Sequence, residues 1–123
     1  MFINHQLEIK MNFLKETVEA ITESKHTSDE IIFIGSEITG HSCNWQEFTE
    51  MADFEYDDGF NIQVIPHDLL IVFSDGSKLV RHEYDGSEWW EHRAQFVMPK
   101  IKKQIHNLKA LDEKWVNLAK INE

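Results

Sequence analysis

Asp68 to Glu91 reads DLLIVFSDGSKLVRHEYDGSEWWE, with Asp75-Gly76 and Asp85-Gly86 each set between β-favouring runs. Asp-Gly tolerates the positive φ angles of a type I′ turn, so each pair predicts a tight hairpin connection. Three antiparallel strands follow, Leu69 to Ser74, Ser77 to Tyr84 and Ser87 to about Ala94. With two-residue loops, Val72 faces Leu79, Leu70 faces Arg81, His82 faces Trp89 and Arg81 faces Trp90. One sheet face then carries Leu69, Ile71, Phe73, Val80, His82, Tyr84 and Trp89 and reads as the core face. The other carries Leu70, Val72, Leu79 and Trp90 beside Arg81, Glu83, Glu88 and His92. Glu83 falls directly opposite Glu88, a like-charge pair that costs stability unless Arg81, His92, a bulge or a bound cation compensates. Either the register differs or that face has a partner.

Outward from this meander, Leu7, Met11, Leu14, Val18 and Ile21 recur at spacings of four and three, one stripe of an amphipathic helix ending near Ser24. Met11 opens MNFLKETVEAI and offers an alternative start, which makes residues 1–10 a weakly ordered extension. Ile31 to Ile34 is a short buried strand stopped by Gly35. Asn44-Trp45-Gln46-Glu47 has the form of a capping box and starts a helix ending by Phe54. Glu55 to Phe60, EYDDGF, is an acidic loop with aromatic punctuation; it lacks the alternating ligands and distal Glu of an EF-hand. Ile62 to Ile65 is a short strand ended by Pro66. Pro99 suits the first turn of a last helix, along which Ile101, Ile105, Leu108, Leu111, Trp115 and Leu118 keep helical spacing. The expected fold is therefore α+β, an antiparallel meander of three or more strands packed against N- and C-terminal helices.

A chain of 123 residues, 41% hydrophobic and 11% aromatic, fits a single domain over 1–123 with one core and argues against disorder. Four tryptophans and eight phenylalanines supply enough buried area that no metal, disulfide or other cofactor is required for folding. Cys43 is the only cysteine, which excludes an intramolecular disulfide and a Cys-rich zinc site and fits a reducing interior. No stretch approaches the roughly 20 apolar residues of a membrane span, and the chain reads as soluble and cytoplasmic.

The net charge of −10 is unevenly spread. Between His26 and Ser77 there is no Lys or Arg, against eleven acidic residues that include Glu55, Asp57 and Asp58. That half repels nucleic acid and anionic lipid, so neither is an expected direct partner. The C-terminal segment reverses the sign, with Lys100, Lys102, Lys103, Lys109, Lys114 and Lys120. The acidic half is either a plain solvated face or a surface aimed at a basic protein partner.

The sequence holds no phosphate loop, dinucleotide fingerprint, nucleophile elbow or zincin motif, which removes the commonest sequence-readable enzymes. His41 and Cys43, one residue apart in a loop, are weak metal ligands by themselves. His82, Glu83, Glu88 and His92 are acid, base or ligand types on the meander, but strand alternation sets His82 apart from the other three. Of the indole pair, Trp89 reads as core and Trp90, beside Arg81, as an exposed anchor that Phe60 and Tyr84 could join. The candidate binding residues are Glu55, Asp57, Asp58, Phe60, Arg81, Glu83, Glu88, Trp90 and His92.

The run from Trp45 to Trp90 resembles a group of small accessory proteins of tailed bacteriophages and prophages with no established activity. The matching stretches are WQEF at Trp45 to Phe48, EYDDGF at Glu55 to Phe60, DLLIV at Asp68 to Val72 and RHEYDGSEWWE at Arg81 to Glu91. The resemblance implies a phage accessory setting in the host bacterial cytoplasm and carries over no activity. Two functions from different classes are expected: a non-enzymatic inhibitor or modulator of a host nucleic-acid-handling protein, or a small-molecule or nucleotide-binding, hydrolytic pocket on the meander.

Overall fold

A computed structural model describes residues 10–57, 63–109 and 117–123. Its centre is a five-stranded antiparallel sheet with strand order β3-β2-β5-β6-β7, where β2 is Ile31–Gly35, β3 Ser42–Cys43, β5 Leu70–Phe73, β6 Lys78–Tyr84 and β7 Ser87–Arg93. A second, two-stranded ladder pairs β1 (Met11–Asn12) with β4 (Glu55–Tyr56). Helix α1 spans Phe13–Glu23 and α2 Trp45–Met51, and a four-residue helix α3, Leu118–Ile121, lies near the C-terminus. The protein is α+β, as the meander predicts.

Both Asp-Gly pairs turn the chain, but in different ways. At Asp85-Gly86 both residues have positive φ, 53° and 87°, and Tyr84 pairs with Ser87, so this is the two-residue hairpin predicted. Around Asp75 the loop is one residue longer. Phe73 N–H donates to the Ser77 carbonyl and Gly76 N–H to the Phe73 carbonyl, both at 2.9 Å, with Gly76 at φ 87°. Asp75 Oδ1 accepts from both the N–H (2.9 Å) and the hydroxyl (2.6 Å) of Ser77, which holds the three-residue form.

That one residue corrects the register between β5 and β6 to Leu70↔Val80, Ile71↔Leu79 and Val72↔Lys78. A slip of one exchanges the faces of everything beyond it. The core face joins Ile71 and Phe73 to Leu79, Arg81, Glu88 and Trp90, all buried. Val80 and His82 are half-buried on the opposite face, and Tyr84 and Trp89 are exposed there.

Helix α1 starts where Asn12 accepts from Lys15 N–H at 2.9 Å, and it covers the core face of the sheet with Phe13, Glu16, Thr17 and Ile21. The expected stripe through Leu14 and Val18 is thus rotated; Val18 is 43% exposed. Glu16 and Thr17 hide this face from a hydrophobicity pattern because they are polar yet buried. The extension expected over residues 1–10 falls on 1–9, outside the described residues, whereas Met11 already belongs to β1. Helix α2 has the predicted capping box, with Glu47 N–H donating to Asn44 Oδ1 (2.8 Å) and Asn44 N–H to Glu47 Oε1 (2.9 Å).

Two expected elements differ. Gln63 to Ile65 is not a strand, because the N–H groups of Val64 and Ile65 donate to the Glu88 carboxylate instead of a ladder; Ile62 lies outside the described residues. The long helix expected from Pro99 is absent over Pro99 to Lys109, which has no regular structure and stands exposed; Leu111 and Trp115 lie outside the described residues. A short amphipathic stretch gains most of its helical stability from packing its apolar face, and here Ile101 and Leu108 are more than three-quarters exposed and Ile105 nearly half.

Candidate functional site

The meander residues chosen from the sequence divide into a buried set and an exposed set. Arg81, Glu88 and Trp90 lie in the core, joined there by Glu16 of α1 and Tyr56 of β4. Arg81 Nη1 donates to Glu16 Oε2 (3.1 Å), and Nη2 donates to Glu88 Oε1 (3.1 Å) and to the Tyr56 hydroxyl (3.0 Å). Tyr56 in turn donates to Glu16 Oε1 at 2.5 Å. Glu88 is completed by the N–H groups of Val64 (2.7 Å) and Ile65 (3.2 Å). The guanidinium carbon lies 4.9 Å from the Trp90 ring centroid and 5.2 Å from that of Phe13, and Trp90 Nε1 donates to Thr17 Oγ1 at 2.9 Å. Among the described residues, Arg81 Nε is the one buried side-chain polar atom without a partner.

This cluster corrects the reading of Trp90 and Arg81 as a surface anchor; Trp90 is 8% exposed and Trp89 37%. It also answers the puzzle of Glu83 opposite Glu88, since Glu88 is neutralised by Arg81 while Glu83 turns out to solvent and accepts from Gly86 N–H at 3.0 Å. Burial, and then the hydrogen bond to Glu16, push the Tyr56 phenol well above its ordinary range. Burial works against the charged Arg81, but Glu16, Tyr56 and Glu88 outweigh it and hold its pKa above the ordinary value. Near neutrality the phenol therefore stays protonated and the guanidinium charged, the states in which their hydrogen bonds in the cluster are made. The cluster is a polar core that fastens the sheet to α1 and β4.

His92 is exposed, its ring 5.9 Å from that of His26, and is not gathered with Arg81 and Glu88. His82 lies on the other face near Glu91 (3.8 Å). His26, which the sequence reading passed over, stacks on Phe73 (4.0 Å between centroids) and reaches Glu30 Oε1 (3.1 Å) with Nδ1 and Ser77 Oγ (3.0 Å) with Nε2. The row carboxylate, imidazole, hydroxyl has the order of a nucleophilic relay. Ser77 is buried, however, and its hydroxyl is committed to Asp75, so the row ties the Asp75 turn to the end of α1. Ser77 also lowers the pKa of Asp75 through its hydroxyl and then its N–H, with His26 and His92 adding a smaller effect. His41 bonds Thr39 and Cys43 is half-buried; among the described residues no group of three or more His, Cys, Asp or Glu could hold a metal.

An open apolar surface feature lies between α2 and the Val64 to Leu69 segment. Phe48, Met51, Phe54, Val64, Pro66 and Leu69 line an open, almost wholly apolar groove of about 210 Å³. Met51 is 62% exposed, and Phe54 and Val64 are exposed as well. Glu50, Asp53 and Glu55, all exposed, are the chain neighbours of Met51, Ala52 and Phe54. Among the described residues no Lys or Arg pairs with any of the three; Asp53 accepts only from Asn12 Nδ2 (3.0 Å). Of the acidic loop, Glu55 is exposed in β4, one residue beyond the groove-lining Phe54, and Asp57 is half-buried, while Asp58 and Phe60 lie outside the described residues. The sequence signal for the groove was the alternation of acidic and large apolar residues over Glu50 to Glu55, legible as composition but not as a concavity. No protein-family model, curated protein or solved structure matches the chain. Among the described residues no helix is long and apolar enough to cross a membrane.

Proposed function

We propose that this chain is a non-enzymatic binding protein whose apolar groove, formed in an acidic stretch of the chain, receives a basic, partly apolar element of a partner protein. The observation that carries the reading is the open apolar groove that Met51 and Phe54 line, together with the exposed Glu50, Asp53 and Glu55, which adjoin its lining residues in the chain and have no cationic partner among the described residues. Exposed carboxylates beside apolar area give a basic partner both steering and a desolvated contact. In the phage setting implied by the resemblance, the partner is a host protein with a basic surface, of the kind that handles nucleic acid, and the chain inhibits or modulates it by occupying that surface. The alternative of a nucleotide or hydrolytic pocket on the meander loses its residues, because Arg81 and Glu88 are spent on the core.

The test is capture of partners from host lysate at low and high salt, followed by binding kinetics with Glu50→Lys/Asp53→Lys. Slower association and a flatter salt dependence are expected, because peripheral charges act mainly on encounter and are screened over about 8–10 Å at physiological ionic strength. Capture that ignores both salt and the charge reversal, or a nucleotide that co-purifies in place of a protein, overturns the proposal.

A further inference from the structure

The fold leaves a second surface bare. After β7 the chain runs through Ala94 to Lys109 without regular structure, and Phe96, Val97, Ile101 and Leu108 are each 75% or more exposed. Ile101, Ile105 and Leu108 follow an i, i+4, i+7 spacing that puts them on one side of a helix. Lys100, Lys102, Lys103 and Lys109 surround them. Residues 94–123 hold six lysines against Asp112, Glu113 and Glu123, a balance of +3; the chain total of −10 therefore leaves −13 on residues 1–93. One molecule thus carries an apolar groove beside unpaired carboxylates and an apolar stripe flanked by lysines, and in the folded single chain the groove is open and the stripe uncovered.

We infer that the groove of one molecule seats the C-terminal segment of a second copy, Phe96 to Lys109, of which Pro99 to Lys109 becomes helical there, and that the exchange is reciprocal. Ile101, Ile105 and Leu108 enter the groove against Met51, Phe54 and Leu69, while Lys102 and Lys109, which flank that stripe on the helix, approach the acidic stretch Glu50 to Glu55. The helix that the sequence predicts and the isolated fold does not form acquires the apolar contact it lacks. Reciprocity doubles the area buried by one segment and brings it toward the roughly 1,200–2,000 Å² of specific interfaces. The inference rests on the groove being a docking surface and is independent of any host partner; the same groove then serves both, so self-association and partner binding compete.

The test uses the full chain in sedimentation equilibrium over a concentration series, with circular dichroism for helix content. A dimer that gains helix as it forms and weakens with salt is expected. Glu50→Lys/Asp53→Lys and Lys102→Glu/Lys109→Glu lie on exposed residues and should each fold yet remain monomeric. Mixed together they should dimerise again, since each reversed segment finds a reversed groove and each native segment a native groove. A monomer at every concentration overturns the inference whether or not host partner is captured, and so does a dimer that survives both reversals. Failure of the mixed variants to associate, with both folded, overturns it as well. Loss of host-partner capture with the dimer intact would count only against the proposed function.

Discussion

Arg81 Nη1 donates to Glu16 Oε2 at 3.1 Å, which ties the middle of the sheet to the first helix through a fully buried guanidinium. Removing one member of a buried, hydrogen-bonded ion group leaves the other charge without compensation. Arg81→Ala strands Glu16 and Glu88 together and is expected to cost about 3–5 kcal/mol in urea unfolding. Glu16→Met/Arg81→Met should be more stable than the sum of the single losses, with a coupling of about 0.5–3 kcal/mol. Additive single effects would show that the two groups do not act as a unit.

The two neighbouring indoles should separate cleanly. Trp90 is buried, stacks near Phe13 at 5.8 Å and bonds Thr17, so Trp90→Ala is expected to cost about 3–5 kcal/mol. Trp89 sits on the opposite face beside His82, and Trp89→Ala should stay within about 1 kcal/mol of the native chain. Acrylamide quenching in Trp90→Phe and Trp89→Phe checks the same point: over the shared emission of Trp45 and Trp115, Trp90→Phe should leave the more quenchable fluorescence. Equal losses would place both rings in the core.

The same pair shows what the sequence could and could not carry. Both Asp-Gly turns and the Asn44 capping box were legible because each depends on contacts within a few residues, and the strand expected at Ile31 to Ile34 because its apolar run is bounded by turn residues and Gly35. The face of β6 was not, because it hangs on whether Ser74 belongs to the strand or the loop, and that is decided by the Asp75 side chain bonding Ser77. The core also violates binary patterning at Glu16, Arg81 and Glu88, so choosing the more apolar face selected the wrong one. The groove gathers Phe48, Phe54, Val64 and Leu69 from different parts of the chain, which no local pattern encodes. The sequence put an exposed aromatic anchor on Trp90, which is buried, while Met51 and Phe54 are exposed.

Two glycines with positive φ should respond unequally to a methyl group. At Gly35 a Cβ would overlap the carbonyl oxygen of His41 and come within 2.8 Å of Ser42 Cα, both main-chain atoms of the β2–β3 connection that cannot simply turn aside. Gly35→Ala is expected to cost about 1–3 kcal/mol or more through that overlap. At Gly40 nothing lies within 4 Å, so Gly40→Ala costs only the strain of φ 83°, about 1 kcal/mol. Thermal melts of the two variants give the order, and a reversed order would contradict the close approach at Gly35.

Tyr56 makes stability depend on alkaline pH in a fixed direction. Burial and the bond to Glu16 raise its folded pKa, whereas in the unfolded chain the phenol ionises near its ordinary value of about 10. Below that value both states hold the proton and the hydroxyl contributes its full share. Above it the unfolded state releases the proton first, binds fewer protons than the folded state, and stability falls as pH rises toward the folded pKa. Tyr56→Phe removes the hydroxyl that bridges Glu16 and Arg81 and should lower stability at pH 7. It should also flatten the decline above pH 10 relative to the native chain, since the titrating group is gone. Urea midpoints for both proteins between pH 7 and 11 measure this difference, and parallel declines would mean that Tyr56 ionises equally readily in the folded and unfolded chain.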